Sequence, residues 1–390
     1  MQRLWIVTEF FYPDETATAY ILTNIANCLS EKYDIHVLAG PIMSDIPSVS
    51  HVDGRITIHR GRWLRLGKEK LLPRAISFII MTTVLSIKLL CRSRRGDKVM
   101  IATNPASLHP IVSLLKKMKG FELVVLTHDL FPENTIPAGI FKSKKSVLYG
   151  LLMRVYDQSY ARADKIIVIG RDMKELMEAK IRRFGSLAKI RVISNWADLD
   201  IIHAESDVST NQIVIQYAGN IGRVQGLKWF LDVFRKVKDE GVEFSIWGKG
   251  VLATEITHYA ETNHIRHVKV NGPFTRSEEN GIISQCDLCL ISLAEGMYGL
   301  GVPSKAYNIM AAGKPVLYVG PENSELWRVV MENGLGFCFA PGDEDGLLQF
   351  LNSLTTDRRP ELLKMGERAK KLAYEQYAKE KVLGEIYHFV

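Results

Sequence analysis

Short apolar runs alternate with longer amphipathic stretches along almost the whole chain. Residues 4–8 form a run of the first kind. Residues 16–32 follow it, with Ile21, Leu22, Ile25 and Leu29 recurring at helical spacing. A second run at 35–39 is closed by Gly40-Pro41, and further runs stand at 98–102, 122–127, 165–169 and 190–193. The spacing predicts strands at each run and a helix over 75–91, AISFIIMTTVLSIKLLC. Short buried strands separated by helix-length segments are the pattern of parallel sheets joined by crossover helices.

The polar, acidic and weakly periodic segment 196–211 interrupts this rhythm and reads as a linker. The alternation then restarts. Strands are expected at 213–217, 244–247, 268–271, 288–293, 315–319 and 336–339, with helices at 227–239, 304–312 and 324–333 among them. Residues 360–390 read as one long charged helical region. The fold class expected is therefore α/β, two Rossmann-like doubly wound domains with a cleft between them. Open parallel sheets bind ligands beyond the carboxyl ends of their strands, so the cleft is the expected site.

Candidate chemistry gathers where strands end. The segment 293–315, LAEGMYGLGVPSKAYNIMAAGKP, places Gly296, Gly299 and Gly301 after a strand and Pro303-Ser304-Lys305 at the start of a helix. Glycines let backbone amides approach a ligand, Ser304 can cap the helix or donate to a phosphate oxygen, and Lys305 brings a full charge. A second glycine cluster, YAGNIGRVQG at 217–226, offers Gly219, Asn220, Gly222, Arg223 and Gln225 in the same kind of setting. Gly248, just after the expected strand 244–247, joins this set of strand-end glycines as a candidate for binding phosphate. In the first half, His128 and Asp129 lie just past the apolar run 122–127, suited to proton transfer or to binding sugar hydroxyls. The turn EFFYPDETATA holds Glu15, Thr16, Ala17 and Thr18 near a helix start, where Thr16 is either the cap or a contact across the cleft.

Composition narrows the class. Hydrophobic residues make up 47% and charged residues 24% of 390 positions, which is ordinary globular usage. Five cysteines lack a framework spacing, and Cys286-x-x-Cys289 sits in an apolar run without a second ligand pair, so a reduced cytoplasmic chain without a metal is expected. Residues 1–200 carry 30 Lys+Arg against 19 Asp+Glu, whereas 201–390 carry 20 against 24. The excess concentrates between Arg60 and Arg95 and at Lys116–Lys119 and Lys142–Lys145. An anionic partner is expected for the first half only. Without interleaved aromatics or a recognition motif, nucleic acid is disfavoured. An anionic membrane surface, met by the apolar helix 75–91 between basic flanks, fits better. That helix holds Lys88 and is too short to span.

Several blocks in order resemble glycosyltransferase family 4 with the GT-B fold, in the subgroup that makes bacterial cell-surface polysaccharides. They are Phe11-Tyr12-Pro13 with Ala17-Thr18, the block from His128 to Glu133, the block from Asn195 to Asp198, the run from Tyr217 to Leu227, and the run from Pro303 to Val316. The resemblance implies a retaining, metal-independent transfer from a nucleotide sugar, most commonly a UDP-sugar, by an enzyme of the hexosyl- or N-acetylhexosaminyl-transferring type. It assigns the acceptor to a first domain, 1–195, and the donor to a second, 196–370, with a final helix at about 371–390 packing back onto the first. It also implies a polyprenyl-diphosphate-linked acceptor and peripheral contact with the inner face of the plasma membrane. His128, Asp129 and Glu295 are the catalytic candidates.

The family's paired donor-site glutamates fall here on Leu300 and Asn308, and Glu295, thirteen residues before Asn308, is the candidate replacement for the first. The usual basic pair of the first glycine loop is replaced by Asn220 and Gln225, which leaves Lys305 and Arg223 as the cations for a diphosphate. Two other readings stand beside a transferase: a nucleotide-sugar epimerase of similar fold, and a catalytically silent partner subunit.

Overall fold

The computed structural model of the chain describes residues 1–14, 16–42, 51–61, 71–199, 211–238 and 241–390. It contains two wholly parallel sheets. In the first, the strands β1 (Gln2–Thr8), β2 (Tyr33–Ala39), β3 (Thr57–Arg60), β4 (Lys98–Ala102), β5 (Glu122–Thr127), β6 (Lys165–Val168) and β7 (Lys189–Val192) lie in the order 3-2-1-4-5-6-7. The second has β8 (Ile213–Ala218), β9 (Val242–Trp247), β10 (Val268–Gly272), β11 (Leu288–Ser292), β12 (Val316–Val319) and β13 (Gly336–Phe339) in the order 10-9-8-11-12-13. Each order reverses once, between β1 and β4 and between β8 and β11. There the connections leave in opposite directions and open a crevice at the strand carboxyl ends.

Burial explains the apolar runs. Every residue of β4 and β11 is buried, because helices cover both sheet faces. On one face of the first sheet, α1 (Ala17–Leu29) and α13 (Lys379–Phe389) share a core with Leu4, Ile6, Val37 and Val124. On the other lie α2 (Leu71–Arg92), α3 (Leu108–Lys119), α4 (Val147–Ala161) and α5 (Arg171–Arg182). That second core does not stop at the domain edge. It runs through Leu130, Met173 and Met177 to Met297, Leu300 and Tyr318 of the second sheet's layer.

Three expectations change. The terminal region 360–390 is two helices, α12 (Arg359–Gln376) and α13, because the chain turns at Tyr377-Ala378 and Ala197 donates to the Tyr377 carbonyl at 2.8 Å there. The α12 helix packs against α9 (Lys305–Ala311), whereas α13 buries Val382 and Ile386 against the first sheet at about 1.5–3 kcal/mol per side chain. Strand β3 was not foreseen, because TIHR is short and only partly buried. The basic stretch from Arg60 to Arg95 is not a uniform surface either. Arg60 points inward, donating to the carbonyl of Gly40 at 2.9 Å and lying 3.8 Å from buried Asp14, while Lys88 donates to the Arg60 carbonyl at 2.8 Å. Arg62, Arg65, Lys68 and Lys70 lie outside the described residues.

The expected linker also begins differently. Trp196, Ala197 and Asp198 are buried, so the crossing between sheets starts as a wall of the cleft, and residues 200–210 lie outside the described set.

Candidate active site

The two switch points face each other across a seam held by backbone. Asp129, two residues after β5, forms an antiparallel bridge with Gly301, and the Leu130 amide donates to the Leu300 carbonyl at 3.0 Å. Leu300 therefore occupies its position as a buried seam residue. Beside it, buried Asp172 at the start of α5 accepts from the amides of Gly299 and Glu325, each at 3.1 Å, and from Met173 at 2.7 Å. Gly299 has φ of +67°, and a Cβ there would sit 2.5 Å from Leu176 Cδ1, so the glycine loop approaches α5 as only glycine permits. Arg171 completes the seam with Glu325 at 3.0 Å and Glu332 at 2.9 Å.

Two cavities flank the seam. The larger, about 580 Å³, is lined from the first domain by Glu133, Lys144, Lys180 and Arg183 and from the second by Glu295, Gly296, Tyr298 and Leu300. Buried Lys180 bonds Glu133 and lies 2.6 Å from fully buried Asp157, which Arg183 also contacts, so these cations are compensated. The smaller cavity, about 160 Å³, brings Ala17, Tyr20, Trp196 and Asp198 against Arg276, Glu279, Ser304, Lys305 and Asn308.

Lys305 is the anomaly of the site. Its Nζ is buried, donates to no acceptor among the described residues, and lies 3.4 Å from the centroid of the Tyr217 ring. It stands against the second glycine loop, where a Cβ built on Gly219 would be 3.6 Å from it. Burial holds its pKa at about 7, well below the usual lysine value, because the ammonium has lost water and gained no bonded carboxylate. A buried ammonium kept without a partner destabilises the empty protein and suits a ligand that brings its own negative charge.

The glycine loop is built from within. Gly219 lies directly over Gly248, whose Cβ would fall 1.8 Å from the Gly219 carbonyl oxygen, so Gly248 serves as the floor of the loop. The Gln225 side chain accepts from the Gly222 amide at 3.0 Å, and the Asn220 carbonyl accepts from the Tyr217 hydroxyl at 2.5 Å. Arg223 is exposed on this loop and reaches toward Gly139 of the first domain, where a Cβ would sit 3.9 Å from its Nη1. Ser304 precedes α9 in helical conformation and makes no side-chain cap bond, which leaves its hydroxyl to the smaller cavity.

Opposite, His128 and Asp129 hang from Thr103, whose hydroxyl accepts both their amides at 3.2 Å. The cleft walls strip water from His128 and push its pKa down to about 4, so the ring is neutral at pH 7. The same enclosure pushes the Asp129 carboxyl up to about 6, although that side chain still reaches solvent along the cleft. Glu295 is exposed at the mouth of the larger cavity.

Thr16 caps α1, its hydroxyl accepting from the Ala19 amide at 3.1 Å. Ala17 lines the smaller cavity, Thr18 is half-buried on the same turn, and Glu15 lies outside the described residues.

One group was missed. The Asp198 amide donates to Asn308 Oδ1 at 3.0 Å, and Asn308 Nδ2 donates to Glu279 Oε1 at 3.1 Å. Arg276 bonds Asp198, and its guanidinium lies 3.7 Å from the centroid of the Tyr20 ring. Burial raises the Glu279 carboxyl above its usual range. The position of FTRSEEN just past β10 was the available signal, since this sheet's loops converge on its carboxyl edge.

Residues 19–201 match the family described as Glycosyltransferase Family 4, and residues 212–357 match Glycosyl transferases group 1. The chain is 34% identical over 364 residues to a probable glycosyltransferase, WbjE, of Pseudomonas aeruginosa, covering 91% of this chain and 90% of that protein. It is 23% identical over 270 residues, 66% of each chain, to a putative colanic acid biosynthesis glycosyl transferase, WcaI, of Escherichia coli. The structure of Anabaena HepE in complex with UDP superposes with a TM-score of 0.68 at 15% identity, covering 100% of this chain and 99% of that one, a likeness of fold.

Proposed function

We propose a specific reaction from the premise that this chain belongs to glycosyltransferase family 4, of the GT-B kind found in bacterial polysaccharide synthesis: it transfers a hexosyl or N-acetylhexosaminyl group from UDP to an acceptor with retention at the anomeric carbon. The unpartnered, buried ammonium of Lys305 against the Gly219 loop carries this reading. A diphosphate is the ligand that supplies the missing charge, accepts from backbone amides of such a loop, and fits beside Ser304.

In the proposed step the bond between the anomeric carbon and the diphosphate oxygen breaks, and its electron pair stays on the departing oxygen. The acceptor hydroxyl oxygen bonds to the same face of the sugar, and its proton passes to that departing phosphate oxygen. UDP is released. Lys305 and Arg223 neutralise the charge that develops, so no metal ion is required in this scheme. One such fixed group is worth about 10²–10³ in rate. Neutral His128 bonds a sugar hydroxyl from the first domain, Glu295 holds sugar or acceptor hydroxyls from the loop, and Asn308 with Glu279 holds the ribose. The acceptor is lipid-linked, a polyprenyl diphosphate carrying the growing glycan, taken from the inner face of the plasma membrane through the larger cavity. Lys144 there faces the acceptor's phosphates. HepE is a precedent for UDP on this fold, and WcaI for polysaccharide synthesis.

The test is calorimetric titration of UDP, followed by transfer assays with UDP-sugars in which NMR reads the anomeric configuration of the product. Inversion in the product would defeat the retaining scheme, and absence of UDP binding would defeat the donor assignment.

A further inference from the structure

Tyr298 is held more firmly than its place in a glycine-rich loop suggests. Gly296 and Gly299 stand on either side of it with φ of +82° and +67°. The segment is anchored against the first domain, because Met297 is buried in the core that the two domains share and the Gly299 amide donates to Asp172. The Tyr298 hydroxyl then closes a circuit of hydrogen bonds. It donates to Glu175 Oε2 of α5 at 2.7 Å and accepts from Arg328 Nη2 at 3.3 Å, while Arg328 Nη1 donates to Glu175 Oε1 at 3.0 Å. Arg328 lies on α10 (Glu325–Asn333), so the circuit joins the two domains.

Tyr298 also lines the larger cavity, whose lining includes neither Glu175 nor Arg328. With its hydroxyl engaged outside, what Tyr298 presents to the cavity is its phenol ring. Leu176 and Leu300 add apolar walls beside it, and Glu133 adds a carboxylate. Glu133 bonds Lys180 through Oε1, and its Oε2 has no hydrogen-bond partner among the described residues. The cations Lys180 and Arg183 are compensated by Asp157 and Glu133, so the interior holds no surplus positive charge for an anion. The volume, about 580 Å³, is that of an ordinary small-molecule site. A fixed aromatic ring between apolar walls, with a carboxylate that can only accept hydrogen bonds, suits a neutral sugar. The sugar's C–H face packs on the negative face of the π system, and its hydroxyls donate to the carboxylate.

We infer that the larger cavity is a glycan subsite in which the Tyr298 ring stacks on a neutral pyranose of the acceptor, held in place for it by Glu175 and Arg328. This deepens the proposed function and rests on it for assigning the cavity to the acceptor. The sugar bound here is not the one that reacts, because the backbone seam at Leu130 and Leu300 stands between this cavity and Lys305. Its contacts therefore act on acceptor affinity, alike in the ground state and the transition state. Because the circuit joins the domains, the subsite is complete only while α5 and the loop of Tyr298 stay in contact.

The test is saturation-transfer NMR of the full chain, with and without UDP, against methyl glucoside, methyl galactoside and methyl N-acetylglucosaminide, which reads sugar binding without turnover. Wild type should saturate the ring protons of at least one of them. Tyr298→Ala should weaken that binding roughly tenfold or more. Tyr298→Leu, which keeps an apolar side chain without the π face, should fall with it and serves if the alanine variant does not fold. Tyr298→Phe keeps the ring and loses the circuit, so binding should weaken only about threefold. All three variants should keep wild-type UDP titration. No saturation of any probe by wild type overturns the inference, as does equal sugar binding by wild type and a folded Tyr298→Ala or Tyr298→Leu. Loss of UDP affinity in those variants also overturns it, because the ring would then serve the donor. Wild type that binds a sugar at Tyr298 but not UDP would sustain the subsite while the donor assignment failed, which separates the two.

Discussion

Lys305 makes a prediction with opposite signs in two measurements. In the empty protein its pKa is held at about 7 by burial, against 10.5 in the unfolded chain. Between those values the unfolded state carries the extra proton, so the stability of the ligand-free protein should rise with pH across this window. A diphosphate bound beside the amine restores the charge and raises the pKa again, so binding takes up a proton wherever the free amine is neutral. If the bound value returns to the ordinary one, UDP affinity should fall roughly 50-fold from pH 7 to pH 9 through this residue alone. The phosphate's own second ionisation, near 6, is complete over most of that range. Calorimetry in buffers of different ionisation enthalpy reads the affinity and the proton uptake together, and thermal unfolding without ligand reads the stability. Lys305→Met should raise Tm below pH 9 by removing an unpartnered buried charge, weaken UDP binding at pH 7, and abolish both pH slopes. Transfer rate should fall on the order of 10²–10³-fold. Wild-type affinity that is flat from pH 7 to 9, or a folded Lys305→Met with near-normal turnover, would place the diphosphate elsewhere.

The other expectations separate the two walls of the cleft. Glu279→Gln keeps its bond to Asn308 within reach but loses a charged acceptor, so UDP affinity should fall by about 1.5–3 kcal/mol, with a smaller loss for a UDP analogue lacking the ribose hydroxyls, measured by the same titration. His128→Ala and Glu295→Gln should lower single-turnover transfer while leaving UDP affinity nearly unchanged, and an equal loss in both quantities would count against their assignment to sugar and acceptor. Asp172→Ala leaves the amides of Gly299 and Glu325 without their acceptor, so unfolding free energy should drop by about 1–3 kcal/mol or more, and small-angle scattering should show a more open molecule.

Much of this protein was written in local pattern. The alternation of apolar runs and amphipathic stretches determined two parallel-sheet domains, because strands buried on both faces must be apolar throughout and crossover helices must show one apolar side. Strands β4, β5 and β13 fall at the boundaries expected, and Lys305, Gly219 and the pair His128-Asp129 stand out because each follows a strand that ends in a cleft. The tertiary structure decided what no window of sequence contains. Whether Lys305 has a partner depends on side chains from Tyr217 to Glu279, and it emerged with none bonded. Asn308 looked like a weakened glutamate in isolation, yet it is the hydrogen-bonded link between the Asp198 amide and a carboxylate 29 positions upstream. Arg60 counted as surface charge until β3 carried it inward. Periodicity reports which side of an element is apolar. Only packing assigns that side to the core, to a ligand or to another surface.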